Sequence, residues 1–175
     1  MTAPDDRTGR GLERWELVAR EAVRHTLTSY HFAGDRGRLD ELADCFQPDG
    51  TLEVVGTEPW HGRAAIRDGL AQRLPDRRRD PVEPVEPVSS DVQVEQMPSP
   101  PPGYIRHHLA SPHFRLVTPT EIRTSTYFAA LTDIGLDHWG RYADVLTPEA
   151  DGDRWLLWHR AVTVEGHAPD SHFRR

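Results

Sequence analysis

The adjacent histidines at positions 107 and 108 are the densest group of candidate acid/base side chains in this sequence. They stand in residues 104–117, which are rich in aromatic and branched side chains and therefore predict a β-strand. Because side chains alternate on a strand, His107 and His108 point to opposite faces and cannot both bind one metal ion. Ile105, His107 and Leu109 then form the inner face. His107 is either a general acid/base or a hydrogen-bonded core histidine.

Asp35 is the carboxylate that could act together with such a histidine. It stands after Gly34 and before a helical pattern, so one interpretation is a helix N-cap. Tyr30 precedes the same turn, which places a phenol and a carboxylate between two predicted helices. In the other interpretation Asp35 points into an apolar cavity, where it orients and charges an imidazole or itself takes a proton. The sequence leaves both interpretations open.

Four further residues are candidates for substrate binding. Trp158 and Arg160 are two residues apart in a predicted strand, which places them on the same face. Arg160 is either a cation that binds an oxyanion or carboxylate beside Trp158, or a solvent-facing arginine. Trp60 either lines the mouth of a pocket or forms a hydrophobic staple before a helix. Tyr127, in another predicted strand, completes the group.

Motifs for common cofactors and metals are absent from the sequence. It contains no G-x-G-x-x-G, no Walker loop, no H-E-x-x-H and no G-x-S-x-G. The single cysteine, Cys45, excludes an internal disulfide and is predicted to be a small core residue. We therefore expect chemistry that needs neither a cofactor nor a metal ion.

The overall charge also limits the partners of the chain. The formal net charge is -7, and all 21 basic residues are arginines without a basic stripe, which makes nucleic acid a poor partner. No run of about 18 apolar residues and no apolar signal-peptide core occurs. We expect a cytoplasmic protein without a membrane partner.

Hydrophobic periodicity predicts helices first and strands afterwards. The predicted helices cover residues 12–31, 35–46 and 62–74, with a turn at 48–50; the predicted strands cover residues 51–55, 104–117, 121–133, 137–146 and 154–165. This order indicates an α+β fold, in which three helices cover one face of a curved antiparallel sheet. Such a half-barrel, or cone, leaves an interior cavity at its open end.

The remaining segments are predicted to lie outside the packed domain. Residues 1–11 are expected to be a disordered N-terminus, and residues 166–175 a flexible C-terminal tail. Residues 75–103 hold eight of the fifteen prolines and are predicted to be an extended insertion in a single domain over residues 12–165. The insertion is either a flap over the site or a surface loop.

Several weak motifs in the same order resemble a known family. Tyr30, Asp35, Leu39, Leu42 and Phe46, followed by residues 48–50 and 62–66, resemble the N-terminal half of SnoaL-like domains of the nuclear transport factor 2-like superfamily. Residues 106–108, 140–144 and 155–160 resemble its strand motifs. The resemblance covers residues 12–165. It implies the cone fold, an aspartate and histidine dyad at Asp35 and His107, an assisting tyrosine at Tyr30 and an arginine at Arg160.

This resemblance leads to three functional hypotheses. The first is a cofactor-independent lyase, isomerase or cyclase, acting by dehydratase-like acid/base chemistry on a small hydrophobic carbonyl metabolite of secondary metabolism, such as antibiotic biosynthesis. The second is the non-catalytic β subunit of a ring-hydroxylating dioxygenase, and the third is a small-molecule-binding module. Fold alone does not separate them. The resemblance further implies a homodimer.

Overall fold

The computed structural model describes residues 11–73, 104–150, 152 and 154–172. The proline-rich insertion at 75–103 lies outside the described residues. The described residues form the helices α1 (Arg14–Gly34), α2 (Leu39–Ala43) and α3 (Arg63–Arg73). The strands are β1 (Phe46–Val54), β2 (Trp60–His61), β3 (Ile105–Leu109), β4 (His113–Val117), β5 (Ile122–Thr132), β6 (Gly135–Pro148) and β7 (Trp155–His167). No described helix is long and apolar enough to span a membrane.

The strands form one curved, unclosed sheet of seven strands, as the α+β prediction requires. Its order is β2-β1-β7-β6-β5-β3, and β4 also pairs with β5. Strands β5, β6 and β7 form the predicted antiparallel meander, whereas β1 runs parallel to β7. The fold prediction is confirmed.

The core lies between α1 and the concave face of the sheet. Ala19, Val23 and Leu27 recur at helical spacing on α1 and are buried against sheet residues that include Leu146 and Leu157. Cys45 is buried in the same cluster, as predicted, and burial raises the pKa of its thiol to about 11. The packing of α1 fixes where its C-terminal end lies over the sheet.

The segment after α1 differs from the prediction in a way that affects the site. Asp35 is the C-cap of α1, while the residue that caps α2 is Arg38, so the N-cap interpretation of Asp35 is wrong. Gly37 has φ 67, a left-handed conformation that glycine adopts without strain, and this turn separates the two helices. The Asp35 carboxylate contacts His107 and not the amides at the start of α2.

Strand β1 begins earlier than predicted and includes residues 48–50, where a turn was expected. Phe46 pairs with Leu157, and Thr51 pairs with His159, so five steps along β1 match two steps along β7. The extra residues form an irregularity within the strand. Pro48 is compatible with that position because it needs no partner for an amide hydrogen.

The long strand predicted over 104–117 is divided into β3 and β4. Both parts pair with β5, and Pro112, which has no amide hydrogen to donate, lies between them. At the other end of the chain, β7 continues to His167, beyond the predicted end at Glu165. The tail expected to be flexible contacts the domain as far as residue 172. Ser171 Oγ donates to Asp137 at 2.6 Å, and the backbone N–H of His172 donates to the same carboxylate at 2.8 Å.

Candidate active site

The side chains of Asp35 and His107 meet at the end of α1. Asp35 Oδ1 lies 2.6 Å from His107 Nδ1, and Asp35 Oδ2 accepts the backbone N–H of His107 at 3.0 Å. The aspartate side chain is 6% exposed and the histidine side chain 21%. Two contacts from one carboxylate fix both the position of β3 and the orientation of the imidazole.

This contact determines which nitrogen of His107 carries the proton. A carboxylate accepts hydrogen bonds, so the neutral imidazole carries its proton on Nδ1 and donates it to Asp35. Nε2 then has a lone pair and can accept a proton. Asp35 also stabilises the imidazolium that forms when Nε2 takes that proton.

His107 lines a cavity of about 230 Å³ between the helices and the concave face of the sheet. The walls are mostly apolar and are contributed by α2, α3 and the sheet: Leu42, Leu52, Val54, Leu70, Ile105, Phe128, Val162 and Val164. Trp60 lies on the wall, which is one of its two predicted positions, and its ring stacks beneath the guanidinium of Arg73 at 4.6 Å. The cavity suits a small and largely hydrophobic ligand.

His31 is a second cavity-lining histidine, which the sequence analysis did not select. Its ring centroid lies 5.4 Å from that of His107 and 4.9 Å from that of Tyr142. Burial lowers its pKa well below the ordinary value, and the positive charge of Arg160 acts in the same direction. Its position four residues after Leu27 on the buried stripe of α1 is the signal that could have identified it.

Asp137 and His138 form a second carboxylate–imidazole pair on the cavity wall. His138 Nδ1 lies 2.8 Å from Asp137 Oδ1, and the rings of His138 and His107 are 6.0 Å apart. Burial lowers the pKa of His138, against the effect of Asp137. No local sequence pattern identifies this pair. His138 reaches the cavity through its register with β5, where it pairs with the fully buried Ala130.

The carboxyl of Asp137 stays ionised although it is buried. Burial alone would raise its pKa, but hydrogen bonds from Ser171 Oγ, the backbone N–H of His172 and His138 lower it to about 2. His172 thus lies on the cavity wall next to Asp137.

Arg160 does not occupy the predicted substrate-binding position. Its side chain is 1% exposed and forms two bonds to Asp144, Nε to Oδ1 at 2.8 Å and Nη2 to Oδ2 at 3.0 Å. The guanidinium lies between the rings of Tyr30 and Tyr142, at 4.2 and 4.4 Å from their centroids. It also donates from Nη1 to His31 Nε2 at 3.4 Å. With these partners Arg160 is a buried supporting residue, not a ligand for a substrate anion.

Trp158 and Tyr127 also lie away from the cavity. Trp158 has no partner in the pairing of β6 with β7, because Leu146 pairs with Leu157 and Val145 with His159. This bulge breaks the alternation, so Trp158 is 45% exposed and is not on the face of Arg160. Tyr127 lies between the inward-facing Thr126 and Phe128 and is 64% exposed. Neither side chain lines the cavity in which it was expected to bind substrate.

Tyr30, in contrast, lies on the cavity wall. Its side chain is buried, and its ring meets that of His31 edge-on with centroids 5.0 Å apart. Burial raises the pKa of its hydroxyl, against the effect of Arg160, so the phenol stays protonated. Among the residues that the structure describes, no group of three His, Cys, Asp or Glu side chains is arranged to hold a metal ion.

The family model of the SnoaL-like domain matches residues 15–161, which include every side chain of the Asp35–His107 and Arg160–Asp144 pairs. The chain belongs to the SnoaL-like domain family. The resemblance read from the sequence is confirmed. No curated protein matches this SnoaL-like chain.

Solved structures with the same fold cover nearly the whole chain. A protein of Novosphingobium aromaticivorans provisionally assigned as a scytalone dehydratase is 18% identical, with 91% of this chain and 92% of that chain covered and a TM-score of 0.64. ActVI-ORFA of Streptomyces coelicolor is 19% identical, with coverages of 83% and 96% and a TM-score of 0.62. An NTF2-like protein with a cystatin-like fold, also from Novosphingobium aromaticivorans, is 16% identical, with coverages of 89% and 87% and a TM-score of 0.63. At these identities the similarity establishes the fold.

Proposed function

We propose that this SnoaL-like protein is a cofactor-independent acid/base enzyme that removes a proton next to the carbonyl group of a small hydrophobic metabolite. The observation that carries the proposal is the 2.6 Å contact between Asp35 and His107 at the wall of an apolar cavity. A carboxylate that fixes an imidazole with one nitrogen left as a base is suited to proton abstraction.

In the proposed reaction His107 Nε2 takes a proton from the carbon beside the carbonyl group. The electrons of the broken C–H bond form an enolate, whose negative oxygen needs hydrogen-bond donors. The protonated phenol of Tyr30 is one such donor. His107 then returns its proton in one of three ways. It protonates a β-hydroxyl group as the C–O bond breaks and water leaves, it protonates a different carbon, or it protonates the alkoxide formed when the enolate carbon attacks a second carbonyl group of the same molecule. These outcomes are a dehydration, an isomerisation and a cyclisation.

The carboxylate–imidazole pair also favours this function over the two non-catalytic alternatives. A dioxygenase β subunit or a binding module does not require a carboxylate to set the tautomer of a cavity histidine. Co-purification with an iron-containing partner chain, or tight ligand binding without turnover, would favour those alternatives.

Proton exchange in deuterated water tests the proposal. The full chain is incubated with a panel of small cyclic ketones and β-hydroxy ketones, and NMR follows both deuterium incorporation and loss of water. We expect catalysed exchange that falls by about 10²- to 10⁴-fold in His107→Gln, which lacks the base. Asp35→Asn should cause a similar loss because its amide can donate to Nδ1 and reverse the tautomer.

Tyr127→Phe is the matched control, since this exposed side chain lies away from the cavity. Circular dichroism establishes that each variant is folded. Folded Asp35→Asn and His107→Gln variants with full exchange activity would overturn the proposed function.

A further inference from the structure

His31 is a buried histidine whose two ring nitrogens have different surroundings. Nε2 faces Arg160, whose Nη1 lies 3.4 Å away, and the structure records no partner for Nδ1 within the described part of the chain. The side chain nevertheless lines the cavity beside His107 and Tyr30. With no protein partner recorded for it among the described residues, Nδ1 is able to donate to a ligand atom in the cavity.

Arg160 determines the tautomer of His31. Its guanidinium has donors only and is always charged, so it can contact Nε2 favourably only when that nitrogen carries a lone pair. The single ring proton of neutral His31 must then reside on Nδ1. Asp144 holds the guanidinium by two bonds, and Tyr30 and Tyr142 cover its faces, so the donor is fixed on both sides.

We propose that His31 is an oxyanion donor of the site, with its Nδ1–H hydrogen-bonded to the carbonyl oxygen of the substrate while His107 removes the proton from the adjacent carbon. This assignment rests on the proposed function and adds a second donor to Tyr30. The ring centroids of His31 and His107 are 5.4 Å apart, which lets one carbonyl group and its neighbouring carbon contact both rings.

The surroundings of His31 suit a neutral donor. Burial, Arg160 and His107 all lower its pKa, so it does not compete with His107 as a proton acceptor near neutral pH. A neutral imidazole can still polarise a carbonyl group. The substrate class that follows is a ketone or related carbonyl compound whose oxygen points toward the end of α1 and whose acidic carbon points toward β3.

The tautomer is tested first, by two-bond ¹H–¹⁵N NMR on the uniformly labelled full chain at neutral pH. The His31 signals are assigned by their loss in His31→Asn. We expect a protonated Nδ1 and an unprotonated Nε2, with the Nδ1 signal shifted when 4-nitrophenol is added as an enolate mimic. A proton on Nε2, a charged ring, or a signal unmoved by the bound phenol would overturn the assignment.

Binding of the same phenol to matched variants then separates a donor from a structural histidine. Asn places an N–H close to the position of Nδ1, whereas Gln places it close to that of Nε2. We expect His31→Leu and His31→Gln to weaken 4-nitrophenol binding by about 10- to 100-fold, and His31→Asn to restore most of it. Equal losses in all three folded variants, or a wild-type chain that does not bind the phenol, would overturn the proposal.

These readouts do not depend on turnover, so the two proposals can fail separately. Phenol binding that needs His31, in a chain that catalyses no proton exchange, would refute the proposed function and leave the oxyanion site. Exchange that needs His107 but is unchanged in His31→Leu would refute the role of His31 alone.

Discussion

Three buried aspartates in the described part of the chain are distinguished by their partners. Asp35 contacts His107, Asp137 contacts His138, and Asp144 holds Arg160 by two bonds. A buried carboxylate needs such partners because removal from water is costly. The first two partners are imidazoles on the cavity wall and can exchange protons, whereas the third is a permanent cation enclosed by two tyrosine rings.

The Arg160–Asp144 pair is expected to be structural. Burial opposes the charge of Arg160, but Asp144 keeps its pKa raised, so the guanidinium stays charged. Arg160→Met removes this partner and leaves the buried carboxylate of Asp144 uncompensated. We expect urea unfolding to show a loss of about 3–5 kcal/mol in that variant. The double variant Arg160→Met with Asp144→Leu should regain much of the loss.

A substrate-binding arginine would behave differently. In that case Arg160→Met would raise KM and leave the free energy of unfolding near its wild-type value, a result that would contradict the structural role.

Local irregularities in individual elements decide which side chains reach the cavity. The bulge at Trp158 places Arg160 on the buried face of β7, and the turn at Gly37 separates Asp35 from the start of α2. On α3, Gly69 provides the close approach that allows Trp60 to lie against the helix, because a Cβ there would overlap the indole. Each irregularity determines where one side chain near the cavity lies, while the order of helices and strands stays the same.

Gly69→Ala is therefore expected to destabilise the protein, although the same change in an open helix interior stabilises it by about 1 kcal/mol. Overlap with the Trp60 indole should cost about 1–3 kcal/mol in urea unfolding and shift the tryptophan fluorescence. The added change Trp60→Leu makes room for the methyl group and should remove most of the cost. A Gly69→Ala protein more stable than wild type would show that the contact is not restrictive.

At the scale of the whole molecule, the cavity wall holds two histidines that are neutral in the folded protein near neutral pH. Burial lowers the pKa of both His31 and His138, so both remain uncharged between the helices and the sheet. The unfolded chain exposes the same histidines to water, where they titrate near their ordinary pKa of about 6.5. The homodimer implied by the resemblance stays a prediction.

Stability should accordingly fall as the pH falls below about 6.5. In that range the unfolded state binds protons at His31 and His138 that the folded state does not, so the free energy of unfolding drops by up to about 1.4 kcal/mol per pH unit for each histidine. Asp137, with a folded pKa of about 2, adds a further loss below its ordinary value of 3.8.

Urea unfolding at a series of pH values from 7.5 to about 4.5 measures this slope. His31→Asn should reduce it, while His108→Asn, which changes an exposed histidine, is the matched control and should not. A slope that is the same in wild type and His31→Asn would contradict the burial of a neutral His31.

The sequence by itself determined the class of the fold, the family and the two residues, Asp35 and His107, that meet in the structure. Helical spacing on α1 and alternation in β5, β6 and β7 are local properties, and local patterns predict elements well. The assignment of His107 to the inner face followed from the same alternation. Tyr30 and Trp60 were also selected from the sequence, and both line the cavity.

Only the tertiary structure decided the partners of these residues. Alternation placed Trp158 beside Arg160, but a bulge that forms only when β7 pairs with β6 separates them. Arg160 binds Asp144 on the neighbouring strand, and His138 reaches the cavity through its register with β5. The physical reason is that local spacing determines the direction of a side chain, whereas its partners depend on strand register and helix packing between distant parts of the chain.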